Sequence, residues 1–325
     1  MIIVTGGAGF IGSALIAALN KRKISDILVV DQLGADQKWK NLRNLSFTDY
    51  VEKDDFLEMV IENKLDSPIE AVFHLGASSD TTETNASYLI KNNYEYSKLL
   101  ALWATESNIR FIYASSAATY GDGSAGFNDD EGQIENLSPL NMYGYSKQLF
   151  DLWARKAGLL KKVVGLKYFN VFGPNEYHKG DMRSFCLKAF EQIEAAGKVR
   201  LFKSYRSEYS DGEQVRDFIY IEDVVDMTLF FLDNPQLSGL FNIGTGEART
   251  WNDLVIAVFV AMGGKPNIEY IDMPTSIRDQ YQYYTCADIT KLRKVGYEKQ
   301  TTPLEDAIKD YIQNYLQKDM YLSGI

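Results

Sequence analysis

Ile2-Ile3-Val4-Thr5-Gly6-Gly7-Ala8-Gly9-Phe10-Ile11-Gly12, at the start of the chain, is a short β-branched strand running into a glycine-rich turn. Gly6, Gly9 and Gly12 stand three residues apart. A strand that turns this sharply into a helix, with a pyrophosphate approaching the backbone and the helix N-terminus, needs residues without a Cβ at those points. An amphipathic helix from Ser13 to Asn20 is expected next, then a second apolar strand, Ile27-Leu28-Val29-Val30, ending in Asp31. A glycine triplet alone is common. Strand, triplet, helix, strand and terminal acid in that order form the dinucleotide-binding arrangement.

Outward from this unit the pattern keeps alternating. Ala71-Val72-Phe73-His74-Leu75 reads as a buried strand, 88–107 as a helix, Arg110-Phe111-Ile112-Tyr113-Ala114 as a strand closing on Ser115-Ser116, 143–157 as a helix and 162–168 as a strand. Strand–helix alternation predicts an α/β fold, a Rossmann-type doubly wound parallel sheet. Beyond Asn170 the alternation weakens. Gly173-Pro174 interrupts it, 204–214 is a polar loop, 216–221 is one further strand, and 304–316 is an amphipathic helix. The expected division is a dinucleotide-binding domain over 1–170, with the chain returning to it around 215–245, and a smaller C-terminal α/β substrate lobe over 171–325.

Composition narrows the function classes. With 34 Lys+Arg against 44 Asp+Glu the formal charge is −10, which disfavours nucleic acid as the main partner. Local cations can still hold a phosphate in an acidic protein. No apolar run reaches the roughly 18 residues of a membrane span, and Met1 leads straight into the first strand, so neither a membrane anchor nor a secretory leader is expected. Two cysteines, Cys186 and Cys286, give no disulfide framework and suit a reducing cytoplasm. The two histidines, His74 and His178, have no partners at ligand spacing, so no metal site is expected.

The chemistry-bearing pattern is Tyr143-Gly144-Tyr145-Ser146-Lys147. On a helix Tyr143 and Lys147 share one face, a turn apart. A nearby ammonium favours tyrosinate and lowers the phenol towards a usable general base. Tyr94 and Lys98 repeat the spacing without that context, and read as a helix surface. Ser115 and Ser116 end a central strand, where open α/β sheets bind ligands. The Ser116 hydroxyl is suited there to orient a substrate hydroxyl and relay its proton, or, more plainly, to cap the strand end.

Together with the glycine turn, Ser115-Ser116-Ala117-Ala118-Thr119-Tyr120-Gly121, Tyr143 to Lys147, Arg216-Asp217-Phe218 and Asn242-Ile243-Gly244 resemble the extended short-chain dehydrogenase/reductase (NAD-dependent epimerase/dehydratase) family over nearly the whole chain. More narrowly, Asn92-Asn93-Tyr94-Glu95-Tyr96-Ser97-Lys98, Tyr168-Phe169-Asn170-Val171-Phe172-Gly173-Pro174, His178-Lys179-Gly180 and Tyr281-Gln282 resemble the ADP-L-glycero-D-manno-heptose 6-epimerase family. That resemblance implies an isomerase of lipopolysaccharide core precursor synthesis. Its reaction inverts C6 of ADP-D-glycero-D-manno-heptose through a 6-keto sugar, using recycled NADP. It implies Tyr143 as one acid/base with Ser116 assisting, Lys147 on the nicotinamide ribose, and Lys179 as a second acid/base. It also implies a homo-oligomer, described as a pentamer.

Asp31 is placed to bind the ribose hydroxyls of NAD and would repel a 2′-phosphate unless cations offset it. Lys38 and Lys53 match family positions near that phosphate, so NADP is expected, with NAD as a working substitute. Gly6, Gly9 and Gly12 are expected at the pyrophosphate end, and Phe10 and Ile11 belong to the further cofactor contacts that the resemblance implies. Gln32, Leu75, Gly76, Ala77, Ser78, Ser79, Asn92 and Val171 complete the implied cofactor contacts, with Lys147 and Lys179. For the substrate, the resemblance points to Asn170, to Phe202, Lys203, Ser204 and Tyr205, and to Tyr281. Arg216 is suited to forked bonding to a diphosphate, or to pairing with Asp217 or a neighbouring acid. Asp181 and Lys188 stand where some members have a serine and a histidine, and 206–214 is longer than in some members. Another nucleotide-sugar enzyme, such as a UDP-hexose 4-epimerase, is the nearest rival. A 4,6-dehydratase would need an acid soon after Ser116, where Ala117 and Ala118 stand. A non-catalytic NADPH-binding sensor would tolerate loss of the serine, tyrosine and lysine that are all present.

Overall fold

A computed structural model of the chain describes residues 1–65, 67–278 and 281–324, the side chains of 276 and 277 excepted. Seven parallel strands form the main sheet. Six come from the first 168 residues: β1 (Ile2–Thr5), β2 (Ile27–Asp31), β3 (Asp49–Glu52), β4 (Ala71–His74), β5 (Arg110–Ser116) and β6 (Val164–Tyr168). Four short strands follow: β7 (Asn170–Phe172), β8 (Val199–Phe202), β9 (Val215–Arg216) and β10 (Phe218–Tyr220). The chain then returns with β11 (Gly239–Ile243) before β12 (Arg249–Thr250) and β13 (Ile268–Ile271). The spatial order is β11-β6-β5-β4-β1-β2-β3.

The central strands β1, β2 and β4 are near-continuous apolar runs because both sheet faces are covered there, whereas the edge strand β3 is not buried. Ile2, Val4, Phe73 and Ile112 point to one face, against α1 (Phe10–Lys21) and a later helix, 221–233. Ile3, Val72, Phe111 and Tyr113 point to the other, with Phe56 of α2 (Lys53–Ile61), Leu100 beyond α3 (Ala86–Leu89) in α4 (Tyr96–Glu106), and Phe150 of α5 (Met142–Lys156). A fully buried Leu or Phe contributes roughly 1.5–3 kcal/mol, so packing on the two faces, more than helix propensity, holds these helices. The chain winds away from β1 in both directions, to β2 on one side and β4 on the other. The crevice for a ligand opens at that switch point, above the C-terminal strand ends. α6 (Phe185–Ala196), α7 (Ile221–Asp233) and α8 (Trp251–Ala261) complete the longer helices.

Several elements depart from the sequence expectation. The single strand expected over 216–221 is two short strands broken at Asp217: β9 pairs with β12, β10 with β7, and α7 begins at Ile221. The break follows from the Asp217 carboxylate, which accepts from the Thr245 amide and hydroxyl (both 2.8 Å) and from the Gly246 and Ala287 amides (both 3.0 Å). The helix around 88–107 contains a π-helical stretch, Ile90–Glu95, between α3 and α4. The C-terminal helix likewise passes from α-helix (Leu304–Asp310) to π at Tyr311–Tyr315. Among the described residues no helix is long and apolar enough to cross a membrane.

Candidate active site

The glycine turn shapes one end of the site. Gly6 has φ +69°, and a Cβ there would lie 2.6 Å from the Gly76 amide nitrogen, at the junction of β1 and β4. A Cβ on Gly12 would overlap the Gly6 carbonyl. The cradle therefore closes only with glycine at both positions, and it leaves the N-terminus of α1, capped by Gly9 with no side chain, open to an anion. Asp31 at the end of β2 accepts from the Ala8 amide (2.8 Å) and the Gln32 amide (2.7 Å), and pairs with Lys38 Nζ at 2.9 Å. A backbone cradle, a helix N-terminus and an acid with its cation fit the pyrophosphate and ribose of a dinucleotide.

β5 and α5 supply the next wall. Asn141 caps α5 by accepting from the Gly144 amide, so the helix starts where Tyr143 and Lys147 share a face. The Ser116 hydroxyl lies where it favours the Tyr143 phenolate. Lys147, buried, donates to the Ala114 carbonyl at 2.8 Å. Here the sequence expectation is corrected. Burial pushes the Tyr143 phenol up from its ordinary value and the Ser116 hydroxyl only partly offsets this, so the phenol is not held near neutrality. Desolvation outweighs an ammonium that is aimed at a carbonyl. Lys147 itself is pushed down to about 8 by burial, against the opposing pull of Asp151.

Lys179 comes from a turn, Tyr177–Met182, that follows β7. Its Nζ lies 5.4 Å from the Phe10 ring centroid, beside the glycine turn. Burial lowers its pKa while Glu176 raises it. The turn is stitched down by side chains. Buried Glu176 accepts from the Ser184 hydroxyl (2.7 Å), Arg183 Nε donates to the Gly180 carbonyl (2.8 Å), and Lys188 Nζ to the Asp181 carbonyl (2.7 Å). Asn175, fully buried with φ +78°, donates to Ser13 Oγ and accepts from the Leu322 amide, both at 2.9 Å.

One cleft of about 810 Å³ gathers these parts. Gly6, Gly9, Phe10, Ile11, Gly12, Asp31 and Lys38 line it, as do Leu75 to Ser79, Ser116, Tyr143, Lys147, Asn170, Val171, Lys179 and Lys188. A second cleft of about 580 Å³ shares Phe185 and Trp251 with the first and includes Phe202 and Tyr281. The remaining sequence candidates line neither cleft. Gln32 offers its amide to Asp31, and Lys53 pairs with Asp54 at 2.6 Å. Asn92 turns back to the Tyr88 carbonyl, while buried Asn93 is the neighbour that bonds Ser78 and Ser146. Asp181 offers its carbonyl to Lys188. Lys203 pairs with Asp272, the Ser204 amide donates to Asp211, and Tyr205 stacks under Arg278. Arg216 is buried with its guanidinium 5.4 Å from the Trp251 ring and 5.3 Å from the Tyr281 ring, and donates to the Val215 and Gln282 carbonyls instead of pairing with Asp217.

Residues 2–244 match the NAD dependent epimerase/dehydratase family. The chain belongs to it. An ADP-L-glycero-D-manno-heptose-6-epimerase of Nitratidesulfovibrio vulgaris (strain DP4) is 55% identical over 97% of this chain and 98% of its own. One from Fusobacterium nucleatum is 48% identical over 99% of this chain and all of its own. The crystal structure of the Helicobacter pylori ADP-L-glycero-D-manno-heptose-6-epimerase superposes with a TM-score of 0.81 at 30% identity, covering 96% of this chain and 95% of that one. The backbone cradle at Gly6 and Gly12 has the form that suits a dinucleotide.

Sequence reasoning missed several cleft residues: Arg183, Met182 and Phe185 beside the Lys179 turn, and Trp251 and Leu254 from α8. No spacing rule marks them, because they reach the cleft from separate segments. It also missed Asp151 and Lys167 beneath the wall, although Asp151 continues the Tyr143–Lys147 spacing by one more turn.

Proposed function

We propose that the protein is an ADP-glycero-manno-heptose 6-epimerase that inverts C6 of ADP-D-glycero-D-manno-heptose through a transient 6-keto sugar. The observation that carries this reading is the pairing of full-length relatives of that name with one cleft lined by both a Ser116–Tyr143–Lys147 wall and Lys179. A bound nicotinamide cofactor supplies a reversible hydride acceptor. The cradle at Gly6, Gly9 and Gly12, with Asp31 and Lys147, would hold it.

The chain's own residues manage protons and orientation. Acid duty suits a Tyr143 phenol pushed up by burial. Base duty needs the phenolate, which the Ser116 hydroxyl stabilises and the positive charge of Lys147 favours. Inverting C6 requires that the keto group be served from both faces, and Lys179, from a different element, suits the second. Phe202, Tyr281 and Trp251, with Arg216 stacked behind the last two, suit the nucleotide end of the substrate. NADP is the favoured form because Lys38 already sits 2.9 Å from Asp31 and places a cation where a 2′-phosphate would otherwise meet an uncompensated acid.

Incubating the purified protein with ADP-D-glycero-D-manno-heptose and no added cofactor, then separating the C6 epimers, tests the reading. Conversion supports it. No conversion, alongside conversion of a UDP-hexose, moves the assignment to a 4-epimerase. Tightly held cofactor with no turnover of either sugar would mark a sensor.

A further inference from the structure

Asp151 follows Tyr143 and Lys147 on the same face of α5, at i+8 and i+4, and is wholly buried. Its Oδ1 accepts from the Tyr113 hydroxyl at 2.8 Å. Its Oδ2 accepts from the Ser115 hydroxyl at 2.7 Å and from Lys167 Nζ at 2.9 Å. Lys167, the register partner of Ser115 on β6, also donates to Thr119 Oγ1 at 2.7 Å. Thr119 Oγ1 in turn donates to the Ser116 carbonyl at 2.8 Å. A continuous path thus runs from Asp151 through Lys167 and Thr119 to the backbone of Ser116, and a second runs directly to its neighbour Ser115. A buried ion pair is a poor device for stability, because apolar replacements often do as well or better. One whose hydrogen bonds all converge on a strand end and a helix is suited to fixing geometry.

We propose that Asp151 is a positioning residue that ties Ser116 and Lys147 into one unit, through Ser115 on one path and Lys167–Thr119 on the other. This rests on the roles proposed above for Ser116, Tyr143 and Lys147. Asp151 touches neither cleft; it acts through its neighbours. It also supplies the negative charge that opposes the effect of burial on Lys147. The other groups around Lys147 do not replace it. Tyr143 on the same helix is a protonated phenol, and His74 on β4 is buried and held neutral at about 3. Lys167 on β6 is a cation paired to Asp151 itself.

The sign follows. Lys147 carries its charge below its pKa, so removing the carboxylate lowers that pKa further and the ammonium is lost at lower pH. The test is the rate of epimerisation against pH for the cofactor-loaded wild type, Asp151→Asn and Lys167→Arg, with melting temperatures measured alongside. Asp151→Asn is expected to move the alkaline limb down by about one unit and to reduce kcat at neutral pH about ten- to a hundredfold with KM little changed. Lys167→Arg, which keeps the positive charge beside Asp151, retains the wild-type limb. A folded Asp151→Asn enzyme with an unmoved limb overturns the proposal, whether its kcat is unchanged or is lowered evenly at all pH with a lower melting temperature. If Asp151→Asn does not fold, Asp151→Asn/Lys167→Gln, which buries no unpaired charge but also removes a neighbouring cation, is expected to move the limb down by less and to lower kcat with KM little changed; wild-type kcat in that folded variant overturns the proposal. If the wild type acts on a UDP-hexose instead of the heptose, the functional reading fails and the same profile is measured on that sugar.

Discussion

The wall that carries Ser116, Tyr143 and Lys147 and the turn that carries Lys179 line the same cleft but are held in different ways. The wall is regular. Ser116 ends a strand flanked by two others, and Tyr143 and Lys147 are fixed to each other by one turn of α5. The turn is a short 3₁₀ segment outside the main sheet. Glu176, Arg183, Lys188 and Asn175 hold it through side-chain bonds, and the C-terminal segment packs on it, with Tyr177 donating to the Met320 carbonyl at 2.8 Å. Where backbone geometry sets the spacing, a short motif carries the whole arrangement. Where side chains set it, spacing does not, and Lys179 was reached only through the family resemblance of His178-Lys179-Gly180.

Substitutions on the two sides sharpen this contrast. The largest effect is expected on the wall. Tyr143→Phe removes only the phenol oxygen, and kcat should fall about 10³-fold while cofactor binding, followed by fluorescence, is unchanged. A variant with wild-type kcat would take the tyrosine out of the chemistry. On the turn, Lys179→Gln should lower kcat about 10²-fold; wild-type kcat in that variant would leave the second acid/base elsewhere.

Further from the reacting carbon the effects become effects on binding. Arg216→Lys keeps the charge but loses the planar group packed near Trp251 and Tyr281, so KM for the nucleotide sugar should rise about tenfold with kcat little altered. An unchanged KM would separate Arg216 from the substrate. The smallest effect is expected at the far end of the cradle. Lys38→Ala should weaken NADP about fivefold, the scale of a partly exposed ion pair, and leave NAD unaffected, read by equilibrium titration of the stripped protein. Equal losses for both cofactors would remove Lys38 from the 2′-phosphate.

The same contrast explains what the sequence made legible. The glycine turn, the second strand ending in Asp31, the serine pair and the Tyr143–Lys147 spacing were readable because each is local: a few residues whose relative positions follow from one strand end or one helical turn. Asn92 and Asn93 show the boundary of that legibility. Their segment is π-helical, so α-helical periodicity cannot say which of the two faces inward, and the structure turns Asn93 in and Asn92 back to Tyr88. Arg216 was readable as a cation suited to a diphosphate or to a neighbouring acid, but its stacking on Trp251 and Tyr281 joins three distant segments. The phenol of Tyr143 shows a different boundary. Spacing revealed the neighbouring ammonium and not the desolvation that outweighs it, because burial is a property of the assembled cleft.

In the proposed reaction the C6 hydrogen leaves and returns within the site while Tyr143 and Lys179 handle only the hydroxyl proton. Turnover of C6-deuterated ADP-D-glycero-D-manno-heptose in ordinary water, with the product analysed by mass spectrometry and NMR, tests it most directly. The account predicts an epimer that keeps its deuterium at C6. Deuterium replaced by solvent hydrogen at that carbon would contradict it, because the base would then be removing the carbon-bound proton.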